Sequence, residues 1–237
     1  MRIRMPAVLV VLAAASAVAQ AAGPAPKPGD YIADGGWGTL RISPPARDGL
    51  PFAIESVGAN FHLCSLDGRI VGTQATLEAS DADCVVSFAP TADGITVSST
   101  ETCREYCGAR AGFDGLYLRP APGCAADAVG ATRGGFKRLY DRKRFAEALA
   151  ALSPLPTTCA RTLGHYERAE ILNDIAITHY KLGQRDACLR TLAPFEEDAA
   201  LSDDEVRNHY LPSEADVWLP IIKAARFNLG LCRKKAR

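Results

Sequence analysis

The stretch "ETCREYCGARAGFDGLYLRP", residues 101–120, decides how the chain is divided. Cys103 and Cys107 lie in its first half, and "GLYL" (115–118) is typical of a closing β-strand. The segment "RPAPGC" (119–124) follows, and beyond it the spacing of apolar residues changes. The stretch therefore predicts the end of a β-rich region. Its two cysteines are candidates for a metal clamp, a redox pair or structural disulfides.

The N-terminal sequence indicates the cellular compartment of the protein, and thus the redox environment of these cysteines. Two arginines precede an apolar run from about residue 7 to residue 15 in "MRIRMPAVLVVLAAASAVAQAAG", and small residues follow. This pattern predicts a cleaved secretory signal peptide, residues 1–19, because the run is too short to span a bilayer. We therefore expect export to the periplasm or the medium, a disordered start at 20–29 and no membrane span.

The cysteine content favours disulfides. An even number of cysteines in an exported chain is typical of a disulfide framework. The eight are Cys64, Cys84, Cys103, Cys107, Cys124, Cys159, Cys188 and Cys232. Zinc would need further ligands beside Cys103 and Cys107, and His62 is the sole histidine of this half. A redox pair favours Cys-x-x-Cys, whereas three residues separate these two. We expect no metal and no cofactor.

Spacing suggests two of the disulfide pairings. Cys64 and Cys84 flank residues 65–83, and a disulfide between them is expected to join the two ends of that segment. Cys188 and Cys232 are expected to join the second helical repeat to the last helix. Eight cysteines allow 105 pairings, so these remain hypotheses.

The other four cysteines leave alternatives open. A disulfide between Cys103 and Cys107 would close a tiny loop, so each is expected to reach a different segment. Cys124 is near enough to pair with Cys103 or Cys107. The remaining one would then pair with Cys159 and tie the two domains together.

Residues 30–124 are predicted to form a β-domain. Its short runs are enriched in β-branched and aromatic residues and separated by turn residues: 37–42, 51–57, 61–66, 69–77, 84–89, 94–99 and 115–118. Asp67-Gly68 is the strongest hairpin signal, and Ile95 and Val97 are expected to share one face. Strands of this length and spacing predict a small antiparallel barrel or sandwich.

Residues 130–237 carry helical spacing instead. The segments 135–155, 167–195 and 216–232 have little β character. A shift of 40 positions superimposes Tyr140 on Tyr180 and "ALAALSPL" (148–155) on "CLRTLAPF" (188–195). A period of this size is typical of stacked helix pairs. The fold class is therefore α+β with two domains, a β-barrel or sandwich followed by a helical hairpin repeat.

The repeat resembles tetratricopeptide repeats. "RFAEALAALSPL" (144–155) is similar to the second helix of that motif, and "IAITHYKLGQRDACLRTLAPF" (175–195) to a fuller copy. The departures are a period of 40 in place of about 34 and Arg185 at the position that Phe145 occupies in the first copy. The alternative is a plain helical bundle.

The first half resembles a β-domain of exported proteobacterial proteins. The resemblance rests on three segments: "GDYIADGGWGTLRI" (29–42), "GANFHLCSLDGRI" (58–70) and "CREYCGARAGFDGLY" (103–117). Some proteins with this domain are grouped with lysozyme-inhibitor-like envelope proteins. The resemblance implies a binding or inhibitory role more than catalysis.

Motifs for catalysis are absent from the sequence. It contains no zincin, nucleophile-elbow or phosphate-loop signature. Residues 20–124 hold 7 basic and 12 acidic side chains, residues 125–237 hold 18 and 15, and neither balance predicts nucleic-acid binding. The acidic run "SDDE" (202–205) is expected to cap a helix at Ser202.

Five residues are candidates for a binding surface: Trp37, Asn60, His62, Tyr106 and Arg110. Trp37 lies in the Gly-rich segment "DGGWG" (34–38), which suits sugar or protein recognition or the plugging of a barrel.

The expected function is therefore that of a periplasmic, non-enzymatic binding protein or adaptor with a protein partner in the cell envelope. Candidate roles are inhibition of a cell-wall hydrolase, which would relate it to peptidoglycan, and envelope assembly. One alternative is a carbohydrate-active enzyme that uses two of Glu55, Asp67 and Glu78. The other is a barrel that carries a small ligand.

Overall fold

The structure is a computed structural model that describes residues 24–234. The expected signal peptide and residues 20–23 of the expected disordered start lie outside the described residues; residues 24–28 have no regular secondary structure except a bend, and Gly29 begins the first strand. The β-strands are β1 (Gly29–Ala33), β2 (Gly38–Ile42), β3 (Leu50–Val57), β4 (Leu63–Ile70), β5 (Gln74–Leu77), β6 (Cys84–Pro90), β7 (Gly94–Ser99) and β8 (Gly115–Leu118). The α-helices are α1 (Ala126–Asp141), α2 (Phe145–Leu152), α3 (Leu155–Thr158), α4 (His165–Lys181), α5 (Arg185–Leu192), α6 (Glu196–Ala200), α7 (Asp203–His209) and α8 (Pro212–Arg233).

The strands form one antiparallel sheet that curls into a nearly closed barrel. Its order is β4-β3-β2-β1-β8-β7-β6-β5, so strands that are consecutive in the chain pair with each other, except β4 with β5, and β1 also pairs with β8. The two outer strands of this order, β4 and β5, are consecutive in the chain and meet at a bridge between Val71 and Gln74. The predicted choice between barrel and sandwich is thus decided in favour of a barrel.

The predicted hairpin at Asp67-Gly68 is wrong. Both residues lie inside β4, which pairs with β3 from Leu50↔Ile70 to Val57↔Leu63, and the chain reverses between Val71 and Gln74. Gly68 serves packing instead, because a Cβ there would lie 2.6 Å from the side chain of Leu77 and 3.1 Å from the ring of Phe52. A glycine that makes room for an aromatic ring was therefore mistaken for a turn residue.

The barrel interior is filled with apolar side chains. Residues alternate between inside and outside. Ile95 and Val97 share one face as predicted, and that face points inward. Phe88 and Tyr117 are almost fully buried, and Phe88 packs edge-on against Phe52 with ring centroids 5.0 Å apart. Barrels of this size enclose just enough space for their own side chains.

The stretch around Cys103 and Cys107 closes the barrel. It forms a short 3-10 helix, Glu101–Tyr106, and its cysteines are bonded to opposite sides of the gap between β4 and β5, as Cys64–Cys107 and Cys84–Cys103. We call residues 101–108 the seam segment. The structural role predicted for these cysteines is confirmed, whereas the expected Cys64–Cys84 pair is wrong because each of them bonds the seam segment.

Backbone hydrogen bonds reinforce the same closure. Gly108 N–H donates to the Leu63 carbonyl over 2.8 Å, and the hydroxyl of Tyr106 donates to the Glu78 carbonyl over 2.6 Å. The seam segment therefore supplies the pairing that the ends of β4 and β5 do not give each other.

The helical region contains two hairpins related by the predicted shift of 40 residues. Helix α2 maps onto α5 residue for residue, and the turns place Lys143 and Gly183 at the same point with φ of 60° and 75°. Leu152 and Leu192 are both fully buried. The internal repeat therefore corresponds to two antiparallel helix pairs, α1 with α2 and α4 with α5, which have the same arrangement.

Helix α8 completes the helical core. It packs against α4, where the buried side chains of Asn173 and Asn228 bond each other over 3.1 Å. The predicted Cys188–Cys232 disulfide is confirmed and fixes α5 to α8. Ser202 caps α7 as expected, with Glu205 closing a capping box. None of the helices in residues 24–234 has the length and apolar character that crossing a bilayer demands.

The fourth disulfide joins Cys124 to Cys159. It contradicts the expected pairing of Cys124 with Cys103 or Cys107, because both of those already bond barrel strands. All eight cysteines are thus paired. Four disulfides fit an oxidising compartment outside the cytoplasm.

Candidate binding groove at the junction of barrel and helices

The segment 159–164, which precedes α4, docks onto the turn between β1 and β2. Gly35 N–H donates to the Arg161 carbonyl over 2.7 Å, and the Arg161 guanidinium bonds the Asp34 carboxylate at 2.6 Å. Gly36 adopts φ of 75° against this segment, and a Cβ on it would lie 2.3 Å from the Gly164 nitrogen. Two glycines therefore allow the two backbones to meet.

Charge strengthens this contact. The hydrogen bond from Arg161 lowers the pKa of Asp34, and burial opposes that shift only in part. Arg161 also approaches Asp93, in the turn between β6 and β7, at 3.7 Å. One arginine of the basic helical region thus contacts two carboxylates of the acidic barrel.

A second contact caps α8 from the barrel. The Asn60 side-chain oxygen accepts from Ser213 N–H over 2.9 Å, and Asn60 N–H donates to the Glu214 carboxylate over 2.7 Å. Leu211, the N-cap residue in sequence, has no side-chain acceptor, so Asn60 performs the N-cap function from 153 positions away. The arrangement is a capping box built between two parts of the chain.

Aromatic packing lies beside this cap. Phe61 packs on Tyr166 with ring centroids 5.5 Å apart, and Tyr166 contacts Trp218 of α8 at 6.0 Å. The Trp218 indole N–H donates to Asp198 over 2.7 Å, which fixes the ring. Polar, aromatic and close backbone contacts together hold barrel and helices in one arrangement.

A cleft of about 600 Å³ lies between the docked parts. Its barrel side is the outer face of β2, β3 and β4, and its helical side is formed by α1, α4 and the segment before α4. Val57 and Leu63 form a cross-strand pair in it, with 39% and 61% of their surface exposed. Val129 and Leu163 line the opposite wall.

A second cleft, of about 490 Å³, continues the first along the outer face of β1, β2 and β3. The two share Ile32, Thr39, Glu55 and Ala126. We call the two clefts together the junction groove. Its far wall is the linker at Pro120 and the start of α1.

Acidic side chains dominate the polar lining of the junction groove. Glu55 and Asp127 carry no salt bridge to another described residue, whereas Glu167 meets Arg133 at 3.5 Å and Asp30 meets Arg41 at 2.7 Å. Arg41, the basic side chain of this lining, bonds Asp30 and is also attracted by Glu55. The groove therefore combines an apolar floor with an excess of carboxylates over basic groups, a lining that suits a ligand with both apolar and cationic groups.

Three of the five predicted binding residues have structural roles, and the sequence offered such a role only for Trp37, as a plug of the barrel. Asn60 caps α8 and Tyr106 belongs to the seam segment, as described above. Trp37 lines the groove, but its ring packs against Tyr117 at 5.8 Å and its N–H donates to the Asp34 carbonyl. Trp37 is thus half buried between groove and barrel core.

The other two predicted residues lie beside the seam segment. The His62 ring covers Gly108, where a Cβ would lie 2.8 Å from Nδ1. The side chain of Arg110 is exposed, and its backbone carbonyl accepts from Ala59 N–H. Neither lines the junction groove, so the five residues do not form one surface. A ligand-binding role for each stays a prediction.

The carboxylates proposed for an enzyme are also dispersed. Glu55 lines the junction groove, whereas Asp67 and Glu78 line neither of its clefts. Within residues 24–234 no three His, Cys, Asp or Glu side chains are grouped as metal ligands.

Sequence reasoning missed the groove residues Val57, Leu63, Leu163 and Glu167. Leu63 carried a usable signal, because alternation in "FHLCSL" (61–66) places it opposite the inward-facing Cys64. An apolar residue on the outer face of a strand indicates a covered or binding surface. Comparison with protein-family models, curated proteins and solved structures found no match for this chain.

Proposed function

We propose that the protein is an exported, non-enzymatic binding protein that holds a basic, partly apolar segment of another envelope protein in the junction groove. The observation that supports this proposal is an open groove whose lining combines an apolar floor with carboxylates. Its two walls, the outer face of the barrel and the helical side, are held in a fixed arrangement by contacts between them. Inhibition of a cell-wall hydrolase and envelope assembly are the two roles that such a binding protein would serve.

The shape of the groove supports a peptide or loop as the ligand. Each cleft lies in the usual size range of ligand pockets, about 300–1,000 Å³, and together they extend across several strands. Strands β2 and β3 are paired on both sides, so their backbone groups are already bonded. Recognition would therefore depend on side chains, not on the addition of a strand.

The rigidity of the junction favours affinity. The walls are held by the Asp34–Arg161 pair, the Asn60 cap and the Cys124–Cys159 disulfide. A groove that exists before the ligand arrives avoids the entropic cost of ordering it on binding.

The helical repeat supports the same class of function. Two stacked hairpins with a closing helix resemble a short tetratricopeptide array, and such arrays present extended surfaces to peptides or proteins. The filled barrel interior gives no comparable support to a ligand-carrying barrel.

The test measures binding of model peptides to the mature chain by fluorescence anisotropy. We expect a peptide that alternates lysine and leucine to bind, and a matched glutamate–leucine peptide to fail, because of Glu55 and Asp127. Leu63→Asp should weaken binding at least about tenfold, since it places a charge on the apolar floor.

The matched control is Val71→Asp at the barrel end, where Val71 is 71% exposed and outside the groove. Equal binding of both peptides, or equal loss in both variants, would refute the proposal. In cells, a photo-crosslinking residue at position 63 should capture a defined protein that the same residue at position 71 does not.

A further inference from the structure

Helix α8 carries an exposed apolar stripe. Its members follow a 3-4-3-4 spacing along the outer face: Val217, Pro220, Ala224, Phe227 and Leu231. Phe227 is 66% exposed and Val217 is 39% exposed. The opposite face of α8 is buried against α4 and α5, so the stripe is a second apolar face on the same helix.

Such a face is unusual on the last helix of a helical array. Terminal repeats normally present a polar outer surface, since no further repeat covers them. A 3-4 spacing is the pattern by which a helix packs nearly parallel or antiparallel to another helix. The stripe therefore has the form of a helix–helix interface without a partner among residues 24–234.

The charges on α8 indicate what the partner is. Glu214 at its N-terminal end is bonded to Asn60, Arg233 at its C-terminal end pairs with Glu196, and Lys223 in its middle pairs with Asp203. Asp216 near the N-terminal end and Lys234 just after the C-terminal end are the charges left for a partner. Asp216 and Lys234 are exposed and form no salt bridge with another described residue. A copy of the same helix placed antiparallel would bring each acidic end against a basic end. A parallel copy would oppose like charges.

We propose that the α8 stripe is a homodimer interface, formed by antiparallel pairing with α8 of a second copy about a two-fold axis near Ala224. The small side chain at Ala224 lets the helix axes approach, and each Phe227 packs against the apolar stripe of the other copy. The antiparallel arrangement also opposes the two helix dipoles favourably. An isologous contact of this kind closes on itself and yields a dimer, not a filament.

The first test is sedimentation equilibrium of the full mature chain with its disulfides intact. We expect a monomer–dimer equilibrium that Phe227→Asp weakens about thirtyfold or more, as expected for a central aromatic anchor. Val71→Asp, the matched exposed apolar control, should leave the equilibrium unchanged. A chain that stays monomeric up to about 1 mM would overturn the proposal.

The second test addresses orientation and does not depend on Phe227. Asp216→Lys and Lys234→Glu should each weaken the dimer about threefold, and the double variant should restore it. Failure of the double variant to recover would overturn the antiparallel arrangement. Peptide binding in the junction groove should be unchanged in all three variants, so this proposal and the proposed function fail separately.

Discussion

Asn60 adopts a left-handed conformation with φ of 56° and ψ of 30°, which directs its N–H and its side-chain oxygen toward the start of α8. Asparagine tolerates this region better than most residues. The sequence places Asn60 in a loop and gives no sign of a partner 153 positions later. A partial signal did exist, because α8 begins with Leu211, Pro212 and Glu214, a capping-box pattern without the capping side chain.

Replacement of Asn60 tests the cap. Asn60→Ala should lower the free energy of unfolding by about 1–2 kcal/mol, because it removes the acceptor for Ser213 N–H and disfavours the left-handed backbone. Asn60→Gly keeps the backbone freedom and should cost less. Urea unfolding of the three proteins measures both values. An Asn60→Gly protein as stable as the wild type would show that the side-chain bond contributes nothing, and equal loss in the two variants would show that the backbone conformation adds nothing to it.

Gly36 offers a second residue-scale prediction. Gly36→Ala should destabilise the docking of the segment 159–164, because its Cβ would meet the Gly164 nitrogen at 2.3 Å. Gly72 is the matched control, with φ of 65° and no atom within 4 Å of a Cβ. Gly72→Ala should cost about 1 kcal/mol of backbone strain and Gly36→Ala clearly more. Hydrogen exchange at residues 160–164 should rise in the Gly36 variant alone.

At the scale of elements, the seam segment explains why two disulfides occupy one short stretch. It lies between the outer strands β4 and β5 and is bonded to β4 and β6. An exposed strand edge invites pairing with other chains, and a covalently held segment covers it. The short 3-10 helix around Cys103 thus serves to complete a sheet.

Removal of the Cys64–Cys107 disulfide tests that role. The double variant Cys64→Ala/Cys107→Ala should lose about 2–4 kcal/mol of stability and show faster hydrogen exchange in β4. Cys188→Ala/Cys232→Ala is the matched control, because its loop has a sequence separation of 44 against 43. It should lose similar stability while exchange in β4 stays slow. Unchanged exchange in the first variant would contradict the seam function.

The elements differ in how far the sequence predicts them. The 40-residue repeat was visible in the sequence because equivalent positions, such as Leu152 and Leu192, are buried in both copies and hold the same residue type. The boundary between β4 and β5 was missed, because Asp67-Gly68 imitates a turn while Gly68 accommodates Phe52. The disulfide map was predicted for Cys188–Cys232, the two cysteines that remained in the helical region once Cys159 was assigned to another partner. It failed for the barrel, where the closure of the sheet decides it.

At the scale of the whole molecule, the junction groove was beyond sequence reasoning. Its floor comes from Val57 and Leu63 and its opposite wall from Leu163 and Glu167, about a hundred positions later. No local pattern joins such segments. The two halves carry opposite net charges, and the contact of Asp34 with Arg161 joins an acidic side chain of the first half to a basic side chain of the second.

That contact gives the junction a pH dependence. Because Arg161 lowers the pKa of Asp34, the charged pair contributes stability above the unfolded pKa of about 3.9, and the contribution is lost as the pH falls through the folded value. The Tm of Arg161→Ala should lie below that of the wild type at neutral pH. The gap should close on acidification below about pH 4.

Arg41→Ala provides the comparison, since the Arg41–Asp30 pair lies within the barrel sheet and does not bridge to the helices. It should not alter hydrogen exchange in the segment 159–164, whereas Arg161→Ala should. A Tm gap for Arg161→Ala that is constant across this pH range would show that the pair with Asp34 does not hold the junction.

The Asn60 cap has a consequence for the order of assembly. A chain grows from its N-terminus, so the barrel strands and the Asn60 loop exist before Pro212 has been added. The Asn60 loop that caps the first turn of α8 is therefore synthesised before α8 itself. The residue at which α8 begins is thus set by a loop that lies much earlier in the chain. The barrel acts as a template for the last step of folding.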